Sequence, residues 1–299
     1  IKKWEEYMRE NGHLNTKIED IPTELGQQFR FWMKGTTKKA NYNISKDKSN
    51  GTINHTIAAV KLMYKTIGIE KKYITKNEMP EFKYLKVNRE VKPTRDVLTK
   101  DELTALSRWI RDKYCNEKGI TKKEQIKRRI YGLVVTIAHY GGFRMKEMLG
   151  IRWCDISINP LDDEFGKKTN RVVHIRTENS KTGRSRDVIC PIAPQLERLQ
   201  KWYKQLEVNI DPNSTQYVFL KLTQTAMMAN EPTTDVAWTK RLTAVIKGAN
   251  EDGYIDTSNR RITNYASRHW YITQRLLEGV SMQDVALNCG TSLEFIQKT

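Results

Sequence analysis

The chain has 299 residues, enough for two ordinary domains that each bury a core. Lys plus Arg is 52 against 35 for Asp plus Glu, a formal charge of +17 with a pI near 9.6, which favours a polyanionic partner, nucleic acid first. There is no run of eighteen apolar residues, no lysine-studded amphipathic helix and no signal-peptide pattern. The expectation is therefore a soluble cytoplasmic protein rather than a membrane one. Cys115, Cys154, Cys190 and Cys289 are far apart and lack zinc-ligand spacing, so they are expected to be reduced, buried thiols.

The first ninety or so residues read as a small helical domain. Leu25, Phe29, Trp32 and Met33 form one apolar stripe, opened by Thr23 as N-cap and closed by Gly35. Ile53, Ile57, Val60, Tyr64 and Ile67 form a second, with Lys61 and Lys65 together on another face. A polar, lysine-rich stretch runs from Gly35 to Gly51. Phe82 to Leu98, with Pro93, reads as an exposed linker. The spacing predicts a first domain over residues 1–92, a linker to about 97, and a second domain over 98–299.

The second domain opens with a capping box, Thr99 and Glu102, ahead of Leu103, Leu106 and Ile110. Leu133, Val134, Ile137 and Ala138 predict a buried helix ending at Gly141 and Gly142, and Arg144 to Leu149 starts another. The period then changes: Arg171 to Ile175 and Arg186 to Ile192 predict a β-hairpin around a polar turn with Lys181, Thr182 and Gly183. Helices return over Pro194–Glu207, Thr234–Lys247, Tyr265–Glu278 and Ser281–Leu287, and Thr291 with Glu294 reads as a capping box for a last one. The fold class expected is mainly α with a small antiparallel β-sheet. His139 and His174 stand in apolar contexts and are expected to be structural.

Four segments carry the candidate chemistry. The first is Gly141-Gly142-Phe143-Arg144-Met145-Lys146-Glu147-Met148-Leu149-Gly150-Ile151-Arg152-Trp153. An arginine fork matches phosphate oxygens bidentately, and Glu147 shares its helix face. The second is Thr177 to Arg186, where Lys181 at the hairpin tip can reach a bound backbone and protonate a leaving oxygen. The third is Tyr265-Ala266-Ser267-Arg268-His269-Trp270-Tyr271-Ile272-Thr273, and the fourth runs from Ala286 to Thr299.

In this order and spacing the segments resemble the tyrosine recombinase (phage integrase) family, over roughly residues 50–299. The resemblance implies a helical core-binding domain and a mixed α+β catalytic domain that grip duplex DNA as a C-shaped clamp. It implies Arg144 and Arg268 as the two catalytic arginines, Lys181 as the general acid, and Tyr265 as an auxiliary donor where the family commonly has His. Glu147 and His269 would support the neighbouring catalytic side chains. Lys61, Lys65, Arg184 and Arg186 would meet DNA. Where many members carry His or Trp this chain has Gly290, and the nucleophilic tyrosine is expected just after Thr299.

The activity implied is site-specific recombination, as in a phage or mobile-element integrase, through a 3′-phosphotyrosyl link. No cofactor and no metal would be needed, and four copies would assemble on attachment-site DNA. Two alternatives share the residues: a type IB topoisomerase-like relaxing enzyme, and a catalytically silent DNA-binding protein of this fold.

Overall fold

The computed structural model describes residues 1–35, 49–86, 96–161 and 169–297. The lysine-rich stretch between Gly35 and Gly51 and the middle of the expected linker, with Pro93, fall largely outside the described residues. The chain divides into two compact units, Ile1–Lys92 and Pro93–Thr299.

In the first unit α1 (Lys2–Glu10), α2 (Leu25–Gly35) and α3 (Asn50–Met63) close on an aromatic core. Trp4 meets Phe29 edge-on at 5.0 Å and Phe82 at 5.3 Å, the quadrupole-favoured arrangement. Leu25, Phe29 and Met33 are buried, whereas Trp32 only borders the core. Thr23, the expected cap of α2, gives its carbonyl oxygen to the Glu81 N–H (2.8 Å). Ile53, Ile57, Val60 and Tyr64 are buried as their spacing requires, but Ile67 is half exposed. The backbone widens into a π-helical stretch over Tyr64–Ile69, which turns residue 67 outward and puts Gly68 against Ile74 instead.

The second unit is built around α5 (Lys122–Gly141), which is packed by α4 (Lys100–Asp112), α7 (Ala193–Gln205) and α10 (Ala266–Leu277). The Thr99–Glu102 capping box closes at both hydrogen bonds, an arrangement whose loss typically costs about 1 kcal/mol. Helix α5 buries Ile130, Val134, Ile137 and Ala138 and stops at Gly142, which is left-handed (φ 62°). A Cβ there would lie 2.5 Å from the Tyr271 ring, so the turn that leads to Arg144 needs glycine twice over. His139 lies in this core with Nδ1 on the Val135 carbonyl (2.8 Å) and its ring against Trp270.

After α6 (Met145–Leu149) come β1 (Ile156–Ile158), β2 (Arg171–Ile175) and β3 (Arg186–Cys190), an antiparallel sheet in that order. Strand β1 was not expected, because Ile-Ser-Ile is too short to show a period. It pairs Ile156 with Val173, which in turn faces Val188. Alternation buries Val173 and Ile175, so His174 points to the exposed face and pairs with Asp187 (2.8 Å); its apolar neighbours in sequence are not its neighbours in space. Of the cysteines only Cys154 is exposed, contrary to expectation.

The remaining helices are α8 (Gln224–Met228), α9 (Asp235–Glu251), α11 (Met282–Cys289) and α12 (Leu293–Gln297). The last begins one residue later than the expected Thr291–Glu294 box, with Ser292 Oγ accepting the Phe295 N–H (3.2 Å). Tyr271, Ile272, Val285, Cys289 and Ile296 form a small core of their own that ties α10, α11 and α12 together. No helix among the described residues is long and apolar enough to cross a membrane.

Candidate active site

Arg144 occupies the N-cap of α6, immediately after the Gly142 turn. Its own N–H donates to Glu147 Oε2 (2.8 Å) and its Nη1 to Glu147 Oε1 (2.6 Å), while Nη2 donates to the carbonyl of Gly290, at the left-handed end of α11. Glu147 is 1 % exposed and holds a second arginine. Arg186 Nη1 reaches Oε1 (3.0 Å), Nη2 reaches Oε2 (2.8 Å), and Nε donates to the Asn288 carbonyl (3.2 Å). Four donors thus fill the carboxylate's four lone-pair directions. Burial alone would raise the Glu147 carboxyl, but the bonds from Arg186 and the Arg144 backbone outweigh it and hold the group below the usual carboxylate range.

Arg268, on α10, is 1 % exposed. Its Nη1 donates to the carbonyl of Gly142 (2.8 Å), two residues from Arg144. Its Nε and Nη2 are buried without a hydrogen-bond partner among the described residues. Burial, then the Arg144 charge, pushes this guanidinium below its ordinary value, opposed by Cys289, Tyr265 and Glu147. Three arginines and one carboxylate therefore share this pocket, a net excess of positive charge in a desolvated place. Unpaired buried donors on a cation are costly unless an anion completes them.

Tyr265 sits at the N-cap of α10, its ring edge-on to His269 at 5.2 Å, and His269 lies 5.6 Å from Phe295. Arg144, Glu147, Arg268, Tyr265 and His269 are thus brought to one end of α6, α10 and α12. Lys181 and Arg184 are exposed on the connection between β2 and β3. That connection is anchored to α6, since Lys146 Nζ donates to the Glu178 carbonyl (2.9 Å) and Asn179 Nδ2 to the Gly150 carbonyl (3.2 Å). Lys61 and Lys65 belong to the other unit; Lys61 lies over the Tyr84 ring at 5.7 Å and Lys65 is exposed.

Arg186 differs from its sequence reading. It was expected to meet DNA, and its guanidinium is instead turned inward onto Glu147 and Asn288. The signal was present: Val188 and Cys190 are apolar at period two, so Arg186 shares their inner face. Asn288 was not singled out either. Its side chain bonds both the N–H (2.8 Å) and carbonyl (3.3 Å) of Ile189 and donates to the Tyr271 hydroxyl (2.6 Å). Tyr271 is so engaged, and burial pushes its phenol up to about 12.

The helices and the three-stranded antiparallel sheet have the fold of solved site-specific recombinases and integrases, and the fold brings Arg144 and Arg268 together at the end of buried α5. Among solved structures, the chain is similar to the XerH site-specific recombinase bound to its difH substrate in a pre-cleavage complex, with TM-score 0.62 at 16 % identity, covering 99 % of this chain and 73 % of that one. It is similar to the Tn1549 transposon integrase in complex with transposon right end DNA, with TM-score 0.61 at 17 % identity, covering 99 % and 86 %. It is also similar to a lambda integrase dimer bound to a COC′ core site, with TM-score 0.57 at 13 % identity, covering 99 % and 87 %. No protein-family model matches the chain, and no curated protein sequence matches it.

Proposed function

We propose that this chain is a site-specific DNA recombinase of the integrase type, which cleaves and rejoins duplex DNA through a 3′-phosphotyrosyl intermediate. The observation that carries the reading is Arg268: a buried guanidinium whose Nε and Nη2 have no partner among the described residues, beside a second arginine, is a cradle for an oxyanion. In this reading Arg268 and Arg144 bind the non-bridging oxygens of the scissile phosphate and stabilise the charge that crowds onto them in the transition state. A tyrosine hydroxyl gives up its proton to water and attacks phosphorus, the bond from phosphorus to the 5′ oxygen breaks, and the departing oxygen takes a proton from Lys181. Tyr265 donates a hydrogen bond to the phosphate, and His269 supports that end of α10.

In this proposal the attacking tyrosine follows Thr299, because residues 286–299 resemble the family's approach to it; the engagement of the Tyr271 hydroxyl with Asn288 is consistent with Tyr271 not being the nucleophile. The phosphotyrosyl bond keeps the energy of the broken phosphodiester, so rejoining requires neither nucleotide nor metal. Lys61, Lys65 and Arg184 bind the flanking backbone in this proposal, and four copies assemble at synapsis. The test is covalent trapping of the full-length protein on nicked duplexes cut from the DNA flanking its gene, with the linked peptide sequenced. A DNA-linked peptide from beyond Thr299 is expected. Binding without any strand cleavage would indicate a silent DNA-binding protein, and supercoil relaxation without strand exchange a topoisomerase-like enzyme.

A further inference from the structure

We infer that Arg186 is a positioning residue that keeps Arg144 available to phosphate, by occupying the carboxylate that would otherwise capture it. The inference rests on the reading of Arg144 as a phosphate ligand. Glu147 lies three residues from Arg144 on a short helix, near enough to take its whole guanidinium in a two-bond fork. It does not. Arg186 takes one bond to each Glu147 oxygen (3.0 and 2.8 Å), and the Arg144 backbone N–H takes another (2.8 Å). The Arg144 side chain is left with a single bond to Glu147, from Nη1 (2.6 Å). Its Nη2 is turned to the Gly290 carbonyl.

An arginine has five N–H groups, so two such bonds leave three for a ligand. A forked pair with Glu147 would remove one more and rotate the plane of the guanidinium. Arg186 also braces the second support of Arg144. Its Nε bonds the Asn288 carbonyl, two residues before Gly290, and the open face of Gly290 lies against its guanidinium. Both anchors of Arg144, the carboxylate and the Gly290 carbonyl, are thus set by one strand residue that comes from outside α6 and α11. Sharing one carboxylate between two arginines is favourable here because three arginines in one pocket repel, and Glu147 screens two of them from each other.

The experiment compares strand cleavage by the full-length wild-type protein, Arg186→Gln, Arg186→Lys and the double variant Glu147→Gln/Arg186→Gln on the same nicked duplexes. Circular dichroism melts establish folding for each. A displaced phosphate ligand typically slows chemistry by up to about a hundredfold. Arg186→Gln is therefore expected to cleave about ten to a hundredfold more slowly with DNA affinity nearly unchanged. Arg186→Lys, which keeps the charge but cannot fork, should fall between it and wild type. Removing the captor as well should free Arg144, so the double variant is expected to cleave faster than Arg186→Gln, an outcome that a merely structural role would not give. A folded double variant no faster than Arg186→Gln, or an Arg186→Gln enzyme at the wild-type rate, would overturn the inference while leaving the recombinase reading intact. If Arg186→Gln does not fold, Arg186→Lys with and without Glu147→Gln carries the same comparison. Wild-type protein that never cleaves overturns the underlying reading, and this inference with it.

Discussion

Arg186 and Gly290 lie face to face: a Cβ on residue 290 would stand 2.8 Å from the Arg186 guanidinium carbon, and the backbone there is left-handed (φ 61°). A side chain at this position would press on the far end of the Arg186 side chain, which would have to shift. Gly290→Ala is expected to lower thermal stability by about 1 kcal/mol or more from the left-handed backbone alone. It should also slow cleavage by displacing Arg186 and the carbonyl that holds Arg144. Gly290→His should cleave more slowly still; a gain of activity would show that the pocket can repack.

Arg268 carries two buried nitrogens, Nε and Nη2, with no partner among the described residues, a burden on the unliganded fold. Arg268→Met is expected to stabilise the free protein, by about 1–3 kcal/mol, while reducing cleavage by about two orders of magnitude. Arg144→Ala should show a comparable loss of cleavage without the gain in stability. Melting curves and trapping rates on the same preparations decide the matter; a destabilised Arg268→Met would mark the residue as structural.

If the Tyr265 hydroxyl donates to phosphate, Tyr265→Phe slows cleavage and leaves DNA affinity nearly unchanged, and Tyr265→His retains activity. Single-turnover rates and filter binding separate these effects. An unchanged rate in Tyr265→Phe would show the hydroxyl to be dispensable.

Binding should weaken steeply with salt, with a log–log slope of about −0.9 per phosphate neutralised. Lys61→Ala is expected to lower that slope by about one unit and to weaken binding to all sequences alike. A slope that does not change on removing Lys61 would place this face off the DNA.

Burial pushes the His139 imidazole down to about 4, with the Val135 carbonyl opposing weakly. The unfolded chain therefore binds a proton near pH 6.5 that the folded chain refuses until about pH 4, so stability falls as pH drops through that window. The loss amounts to about 3 kcal/mol at the acid end, to order of magnitude. His139→Gln should flatten the dependence of urea denaturation on pH between about 4 and 6.5. Glu147, held low, adds its own loss as pH falls below the ordinary carboxylate range and through its folded-state value.

The local rules in the sequence determined most of the second unit. The Thr99–Glu102 box, the Gly142 stop and the alternation in β2 and β3 each rest on contacts within a few residues, and each appears where its spacing put it. Arg144 and Arg268 could be singled out because their segments carry a long pattern, and the fold brings both to the Gly142 turn, across 126 residues of chain. Two features had no local signature. The π-widening at Tyr64–Ile69 follows from how α3 must meet Ile74. Strand β1 exists only because β2 offers it an edge. Period two put Arg186 on the inner face of β3, but its partners there, a carboxylate 39 residues away and a carbonyl 102 residues away, are encoded by no periodicity. Short-range hydrogen bonding and hydrophobic period thus settled most of the elements, and the candidate site residues were legible only through the resemblance of their segments to a known family. Which donors are consumed by protein partners and which remain for a ligand was decided by the tertiary structure, because that depends on long-range pairing of buried charges.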